Sequence, residues 1–301
     1  MTVKPIVVGV DGSPESRHAA LTGWRLAATT GTSFELLHAV PDVWATAAIA
    51  QMPVTADLTG PIVEDARRHI IASLSVALPA EATTGLHIVI GRPEVALADA
   101  GARAQLVVVG GKHHGALARG LGGSTAHYLI RTLDVPVLVT AAAGWPIRRV
   151  LAAVDLSFAT EPTLDAARAL ARQTGARLRV LHVVEPAHRF FAARVDEAVL
   201  YERAAAALHE YSAKMPEVDT RDRVTRRGVA AAAIAAEAAD FEADVVVMGS
   251  HGRGWVERLL VGSVTEHVLA LLPTSLLVVP VRAVPVARPM PPITAGAGVL
   301  L

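Results

Sequence analysis

The chain repeats itself, and nothing else in its 301 residues constrains the fold as tightly. Val10-Asp11 is matched by Val154-Asp155, and Ser13 by Ser157. In the same register Leu26-Ala27 matches Leu170-Ala171, Thr30-Gly31 matches Thr174-Gly175, and Leu37-His38 matches Leu181-His182. Val40 falls on Val184. Further on, Val107-Val108-Val109-Gly110 matches Val246-Val247-Met248-Gly249, and Gly123-Ser124 matches Gly262-Ser263, at a slightly shorter spacing. The shortening marks an insertion or deletion in the poorly matched middle. Chance does not place so many anchors in one register, so the chain holds two copies of one structural unit.

Each copy reads the same way. A short apolar run (Ile6 to Val10; Val150 to Val154) has the length of a buried strand. An Ala/Leu-rich helix follows, entered at Ser13-Pro14 or Ser157 and ended at Gly31 or Gly175, the residue types that favour those boundaries. A second strand follows (Phe34 to Val40; Leu178 to Val184), then a helical segment (roughly 62 to 78; 189 to 213). The third strand is expected to end near Gly91 or Val224. Next come a helix (Glu94 to Arg103; Val229 to Phe241), a fourth strand (Leu106 to Val109; Val245 to Met248), a glycine-rich turn, a helix, and a last strand (Val135 to Thr140; Ser275 to Val279). Alternating strands and helices predict an α/β fold: two tandem, open-twisted parallel-sheet domains with helices on both faces. The expected domains are 1–143 and 147–281, joined around Gly144-Trp145-Pro146. The Pro/Gly-rich residues 282–301 read as a disordered tail. Ligands of such sheets bind at the carboxyl ends of strands, near the switch in strand order. Asp11, Asp155 and both glycine-rich turns fall at such ends.

Composition narrows the function classes. Lys+Arg and Asp+Glu both number 28, so no net charge recruits nucleic acid or a membrane surface. Arg221 to Arg227 remains as a local basic patch, and the scattered Trp24, Trp44, Trp145 and Trp255 form no stacking platform. The chain has no cysteine, which excludes disulfides, thiol catalysis and Cys-based metal sites. The first apolar run stops at Asp11, unlike a signal peptide, and no run reaches membrane-spanning length. A cytoplasmic protein is expected.

The second glycine-rich turn carries the chemistry. It runs from Gly249 through Gly252 to Gly262-Ser263, with two residues between the first two glycines and nine before the Gly-Ser pair. Glycines let backbone N–H groups approach phosphate oxygens without a Cβ in the way. Successive N–H groups form an anion nest, and the helix opened by Gly262-Ser263 adds its dipole and free N–H groups. The Ser263 hydroxyl can donate to phosphate or cap the helix.

This Gly-x2-Gly-x9-Gly-Ser pattern, followed by Val264-Thr265-Glu266-His267 and preceded by the Val154-Asp155 strand end, resembles the ATP-binding universal stress proteins. The resemblance extends over nearly all of residues 3 to 280. It implies that Gly249, Gly252, Gly262 and Ser263 hold phosphates, with Val264 in the same site, that Asp155 lies on the ribose side, and that the backbone near Val184 faces adenine. It implies ATP with Mg2+ or Mn2+ as ligand, a regulatory role in stress response or growth control, and pairing of domains through their last strands. Here the two halves can pair with each other, and two chains can then associate as a homodimer. A protein partner is implied without being identified.

The first loop departs from the pattern. Asp11, Val40, Gly110, Gly123 and Ser124 remain, but His113 stands at the second glycine, and Gln105 stands where the second copy has Asp244. Two readings stay open there, a working nucleotide site and a structural half. For the whole chain a nucleotide-independent interaction protein of the same fold remains an alternative, as does a slow ATP hydrolase using His251. Walker and nucleophile-elbow motifs are absent, and no general base is evident in the sequence. His38 and His182 share one strand position, which points to a buried, hydrogen-bonded structural role.

Overall fold

In a computed structural model, residues 4–40, 59–111, 125–141, 145–186, 197–251 and 261–281 are described. The first half runs β1 (Ile6–Gly9), α1 (Pro14–Thr30), β2 (Phe34–Val40), α2 (Thr59–Leu74), α3 (Ala80–Thr83), β3 (Leu86–Ile90), α4 (Pro93–Gly101), β4 (Leu106–Gly110), α5 (Thr125–Thr132) and β5 (Val137–Thr140). The second runs β6 (Arg149–Val154), α6 (Thr160–Thr174), β7 (Arg177–Val184), α7 (Glu197–Ala213), β8 (Arg223–Arg227), α8 (Ala230–Asp240), β9 (Val245–Gly249), α9 (Ser263–Leu271) and β10 (Ser275–Val279). The expected tail 282–301 lies outside the described residues.

All ten strands form one sheet, in the order β3-β2-β1-β4-β5-β10-β9-β6-β7-β8. Every neighbouring pair is parallel except β5 and β10, which meet antiparallel with Leu138 beside Leu277. The halves therefore pair through their last strands, the arrangement the family resemblance implies. Their outer backbone groups, an open edge in an isolated half, satisfy each other. At one end of the seam the Ala141 N–H donates to Ser275 Oγ at 3.1 Å.

Two apolar layers cover the sheet, and each draws on both halves. Val8, Leu36, Leu138, Val150, Val180 and Leu277 face one layer. Val7, Leu37, Val139, Leu151, Leu181 and Leu276 face the other. Neighbours in sequence thus point to opposite faces and are buried on both, so the strands read as continuous apolar runs. Full burial of such a side chain contributes roughly 1.5–3 kcal/mol.

The helix boundaries follow the local chemistry with one difference between copies. Ser13 Oγ accepts from the Ser16 N–H at 3.2 Å and caps α1, with Pro14 in the first turn. Gly31 and Gly175 end α1 and α6 with φ of 64° and 69°, a conformation that glycine adopts without penalty. Ser157 does not cap α6. That helix starts at Thr160, and Ser157 Oγ instead accepts from the Ala159 N–H at 3.1 Å.

β8 corrects the strand expected to end near Val224: it begins at Arg223 and runs to Arg227. Three arginines in five residues hid a strand inside what reads as a basic surface patch. Much of that charge is spent internally. Arg226 Nε donates to Glu237 Oε2 at 2.7 Å, and Arg179 Nη1 donates to Glu237 Oε1 at 2.8 Å. Arg177 and Arg179 both donate to Asp222, at 2.7 and 3.0 Å through their Nε atoms. The Arg179 guanidinium lies 4.1 Å from the Phe241 ring centre. The Asp222 and Glu237 side chains are 2% and 0% exposed. Two buried acids are thereby compensated by three arginines between α8, β7 and β8.

The seam is not symmetric in detail. A Cβ on Gly111 would collide with Leu272 of the other half. The residue matching Gly111 is Ser250, whose Oγ accepts from the Val281 N–H at 3.1 Å.

Candidate nucleotide site

From β6 the chain moves to one side for β7 and β8, then returns to the other side for β9 and β10. The switch in strand order therefore lies between β6 and β9, and their carboxyl ends flank a crevice where ligands of open α/β sheets bind. Asp155 follows β6, Gly249 ends β9, and Val184 ends β7 on the far side of β6. Asp11, Gly110 and Val40 repeat the arrangement around β1 and β4.

The Asp residues first shape the chain. Asp155 Oδ1 accepts from the Ser157 N–H at 3.1 Å and from Ser157 Oγ at 2.6 Å. Asp11 Oδ1 accepts from the Ser13 N–H at 3.0 Å and from Ser13 Oγ. Each is an Asx-type turn that aims the following helix back across the sheet. The residue between differs: Gly12 has φ of 80°, while Leu156 holds φ of 57° without being glycine.

The second loop is drawn shut at its base. The Gly262 N–H donates to Ser250 O at 2.8 Å, and Thr265 Oγ1 donates to Gly249 O at 2.9 Å. A Cβ on Gly249 would stand 3.1 Å from His251 O and 3.2 Å from Ala159 Cβ. A Cβ on Gly262 would stand 3.3 Å from Ser250 O. These glycines let the loop ends pack against each other. Gly262 is the N-cap of α9, with φ −59° and ψ 139°, and offers no side-chain cap. Ser263 is the first helical residue and is exposed, so it is not the cap; Val264 follows it. Among the described residues no N-cap side chain bonds the first-turn N–H groups of α9, the kind of groups that suit an anion. Gly252 lies outside the described residues.

Val184 is more committed than the sequence suggests, since its carbonyl accepts from the Gly228 N–H at 3.2 Å, as Val40 accepts from Gly91 at 2.9 Å. His182 is buried, and its Nδ1 donates to Val154 O at 2.8 Å. His38 repeats the bond to Val10 O at 2.7 Å. Because a carbonyl only accepts, both rings carry the Nδ1 proton. His251 sits beside Ser250, Nδ1 to Oγ 3.0 Å, and burial lowers its pKa from the ordinary histidine value, which favours the neutral ring.

Gly110 answers to packing. A Cβ there would lie 2.7–2.9 Å from backbone atoms of Glu15 and Ser16 at the start of α1. Lys112, His113, Gly123 and Ser124 lie outside the described residues. Asp244, absent from the first copy, is far from the crevice. At the amino end of β9 its Oδ2 accepts from the Arg148 and Arg149 N–H groups at 2.7 and 2.8 Å. Its loss at Gln105 therefore concerns strand anchoring. The sequence reading missed the Glu237–Asp222 ion cluster. Its signal was a lone acid in the Ala-rich stretch 230–239 opposite arginines in apolar strands.

The model of the universal stress protein family matches twice, over residues 2–141 and 146–280. The chain belongs to the universal stress protein family. A universal stress protein of Mycobacterium tuberculosis is 33% identical over 287 residues, covering 88% of this chain and 92% of that protein. One from Mycolicibacterium smegmatis is 33% identical over 293 residues, covering 91% and 96%. The crystal structure of a universal stress protein from Archaeoglobus fulgidus, 18% identical, covers 91% of this chain and 95% of its own, with a TM-score of 0.62. A putative universal stress protein from Pseudomonas aeruginosa, also 18% identical, covers 93% of each chain with a TM-score of 0.63. Both structures share the fold of this tandem universal stress protein. Among the described residues, no helix is long and apolar enough to cross a membrane, and no group of three or more His, Asp or Glu is placed to hold a metal.

Proposed function

We propose that this universal stress protein binds an adenine nucleotide, ATP with Mg2+ or Mn2+, in its second half, and that binding serves a regulatory role in stress response or growth control. The observation that carries the reading is the meeting of Asp155, Gly249 and the uncapped start of α9 at the switch between β6 and β9. In this reading the first-turn N–H groups of α9, from Ser263 and Val264, take phosphate together with Gly252, and Asp155 takes the ribose. The cation arrives with the triphosphate. The first half keeps Asp11 and Gly110 but has His113 in the loop, and whether it binds is a question of stoichiometry. A second reading has its own support. The missing Cβ atoms of Gly249 and Gly262 face protein atoms, which a nucleotide-independent interaction protein would also need.

Calorimetric titration of nucleotide-stripped protein with Mg·ATP, wild type beside Gly262→Asp, separates these readings. Asp is a good N-cap, so the variant keeps the helix start while placing a carboxylate against phosphate. One equivalent per chain, lost in the variant, is the expected result. Two equivalents, halved by the variant, would make both halves functional. No binding by folded wild type would sink the ATP reading and favour the interaction protein. Parallel titrations with AMP, cyclic AMP and ATP in EDTA show how many phosphates and which cation matter.

A further inference from the structure

We propose that the free edge of β3 is where a second copy of this chain docks, strand to strand, around a two-fold axis. The ten-stranded sheet has two edges, and they differ. β8 reads Arg-Val-Thr-Arg-Arg, and its Thr225 carbonyl already accepts from the Tyr201 hydroxyl at 2.8 Å. Arg227 lies over the Tyr201 ring at 4.6 Å, and Arg223 donates to Val218 O. Charge and a covering side chain are the usual protections of an edge. β3 reads Leu-His-Ile-Val-Ile and carries no Lys, Arg, Asp or Glu.

Its backbone is open at Ile88 and Ile90. Leu36 N–H donates to Gly85 O, and Gly91 N–H donates to Val40 O. Odd-numbered residues of this stretch therefore face β2, and Leu86, Ile88 and Ile90 turn their peptide groups outward. Arg67 Nη1 donates to the Leu86 carbonyl at 2.9 Å. Among the described residues no bond engages the outward N–H and C=O groups of Ile88 and Ile90.

The surface beside this edge exposes apolar side chains. Ile90 is 47% exposed and Val95 39%. They border a groove of about 400 Å3 that reaches Leu37, Val89 and Ala100 and is also lined by Arg92, Asp99 and Arg103. In the second half the corresponding space, between α8 and β7–β8, holds the Arg179–Glu237–Arg226 cluster, with Glu237 on the helix where the first half has Ala100. The same place in the repeat is filled by buried ions on one side and left as a groove on the other, where Arg103 pairs with Glu35 at the surface.

A second copy fits this edge. With the axis through Ile88, Leu86 opposes Ile90 and His87 opposes Val89, so no Lys, Arg, Asp or Glu of the strands themselves oppose each other. The formal net charge of the chain is zero, which removes long-range repulsion. The chain already builds such a junction internally, where β5 and β10 run antiparallel and α1 packs against α6 on one face. A β3–β3 junction likewise sets the two α4 helices on one face, across the groove. The contact is isologous and uses both β3 edges, leaving only the arginine-bearing β8 edges outside. It closes as a dimer and does not grow into a filament.

Sedimentation velocity of the full chain over a range of concentrations tests this, with two variants. His87→Lys/Ile90→Lys charges two exposed positions of the edge; Arg227→Ala alters the opposite edge. Thermal melts followed by circular dichroism verify that each variant is folded. The expected result is a concentration-dependent dimer, weakened roughly tenfold or more by the double change and unaffected by Arg227→Ala. Hydrogen exchange at the Ile88 amide should slow as the dimer forms. A wild type that stays monomeric would leave this edge to an extended segment of another protein and overturn self-docking. A dimer that survives the double change, or an Ile88 amide indifferent to concentration, would overturn it equally.

Discussion

The two halves share one topology and have diverged where each is locally stabilised. At the outer end of its sheet the second half holds two buried acids against three arginines. In the first half the matching ground carries surface pairs instead, Arg92 with Glu94 and Arg103 with Glu35 at 2.7 Å, the latter arginine side chain 56% exposed. At the turn after the first strand the second half forces Leu156 into a left-handed conformation, while the first uses Gly12. Duplication preserved the frame of strands and helices, and the polar interactions were rewritten within it.

The largest contrast is expected from Glu237→Ala against Glu35→Ala. Removing Glu237 leaves Arg179 with Asp222 and the half-exposed Arg226 with Asp240, a loss that should approach but not exceed about 3–5 kcal/mol, the cost of a broken buried pair. Removing Glu35 should cost less than about 1 kcal/mol, as for other exposed pairs. Urea unfolding followed by circular dichroism measures both, and equal losses would erase the contrast.

Next come the paired glycines. Gly110→Ala drives a methyl into the backbone of Glu15 and Ser16, and should cost about 1–3 kcal/mol as α1 shifts. Gly249→Ala meets its neighbours only at 3.1–3.2 Å and should be milder. If Gly249→Ala proves the more damaging, the second loop is tighter than its packing indicates.

The turn residues sharpen the comparison further. Gly12→Ala should lose about 1–2 kcal/mol, because its φ of 80° suits glycine and His69 Nε2 stands 3.1 Å from the new methyl. Leu156→Gly relieves a similar strain but gives up packing against the core, so its net effect should be small. A large destabilisation on Leu156→Gly would show that packing, and not the turn, fixes that conformation.

The smallest effect concerns pH. Burial lowers the His251 pKa in the folded state from 6.5. Well above 6.5 the ring is neutral folded and unfolded, and contributes no pH dependence. As pH falls below that value the unfolded chain takes up its proton first, and stability is lost until the folded ring titrates as well. His251→Gln should flatten that part of the stability profile. An unchanged profile would place the acid sensitivity elsewhere.

Most of the frame is written in the sequence because the strands are buried on both faces and so appear as apolar runs. Phe34–Val40 carries the expected boundaries, and Gly31 and Gly175 end their helices as glycine should. β8 escaped because an edge strand whose arginines find acids on a neighbouring helix has no apolar signature. Asp244 was legible as a difference between the copies but not as a strand anchor, since its partners, the Arg148 and Arg149 amides, are distant in sequence. At the candidate site Asp155 and Gly249 lie at the carboxyl ends of neighbouring strands, as the repeat implies, and Gly262 bonds back to Ser250 beside them. The sequence could not show that Asp155 also holds the turn through Ser157, or that the Val184 carbonyl is occupied by Gly228.

The antiparallel join of β5 to β10 also governs what each half is free to become. In a dimer of identical chains every substitution at the seam occurs twice, so a gain on one side is repeated on the other whether or not it fits. Covalent fusion supplies each half with its partner at high effective concentration and lets the two sides of the contact change separately. The bare Gly111 beneath Leu272, set against Ser250 with its hydroxyl on Val281, is such an unrepeated change. A tandem chain of this kind can give up ligand chemistry in one half while that half continues to complete the sheet of the other.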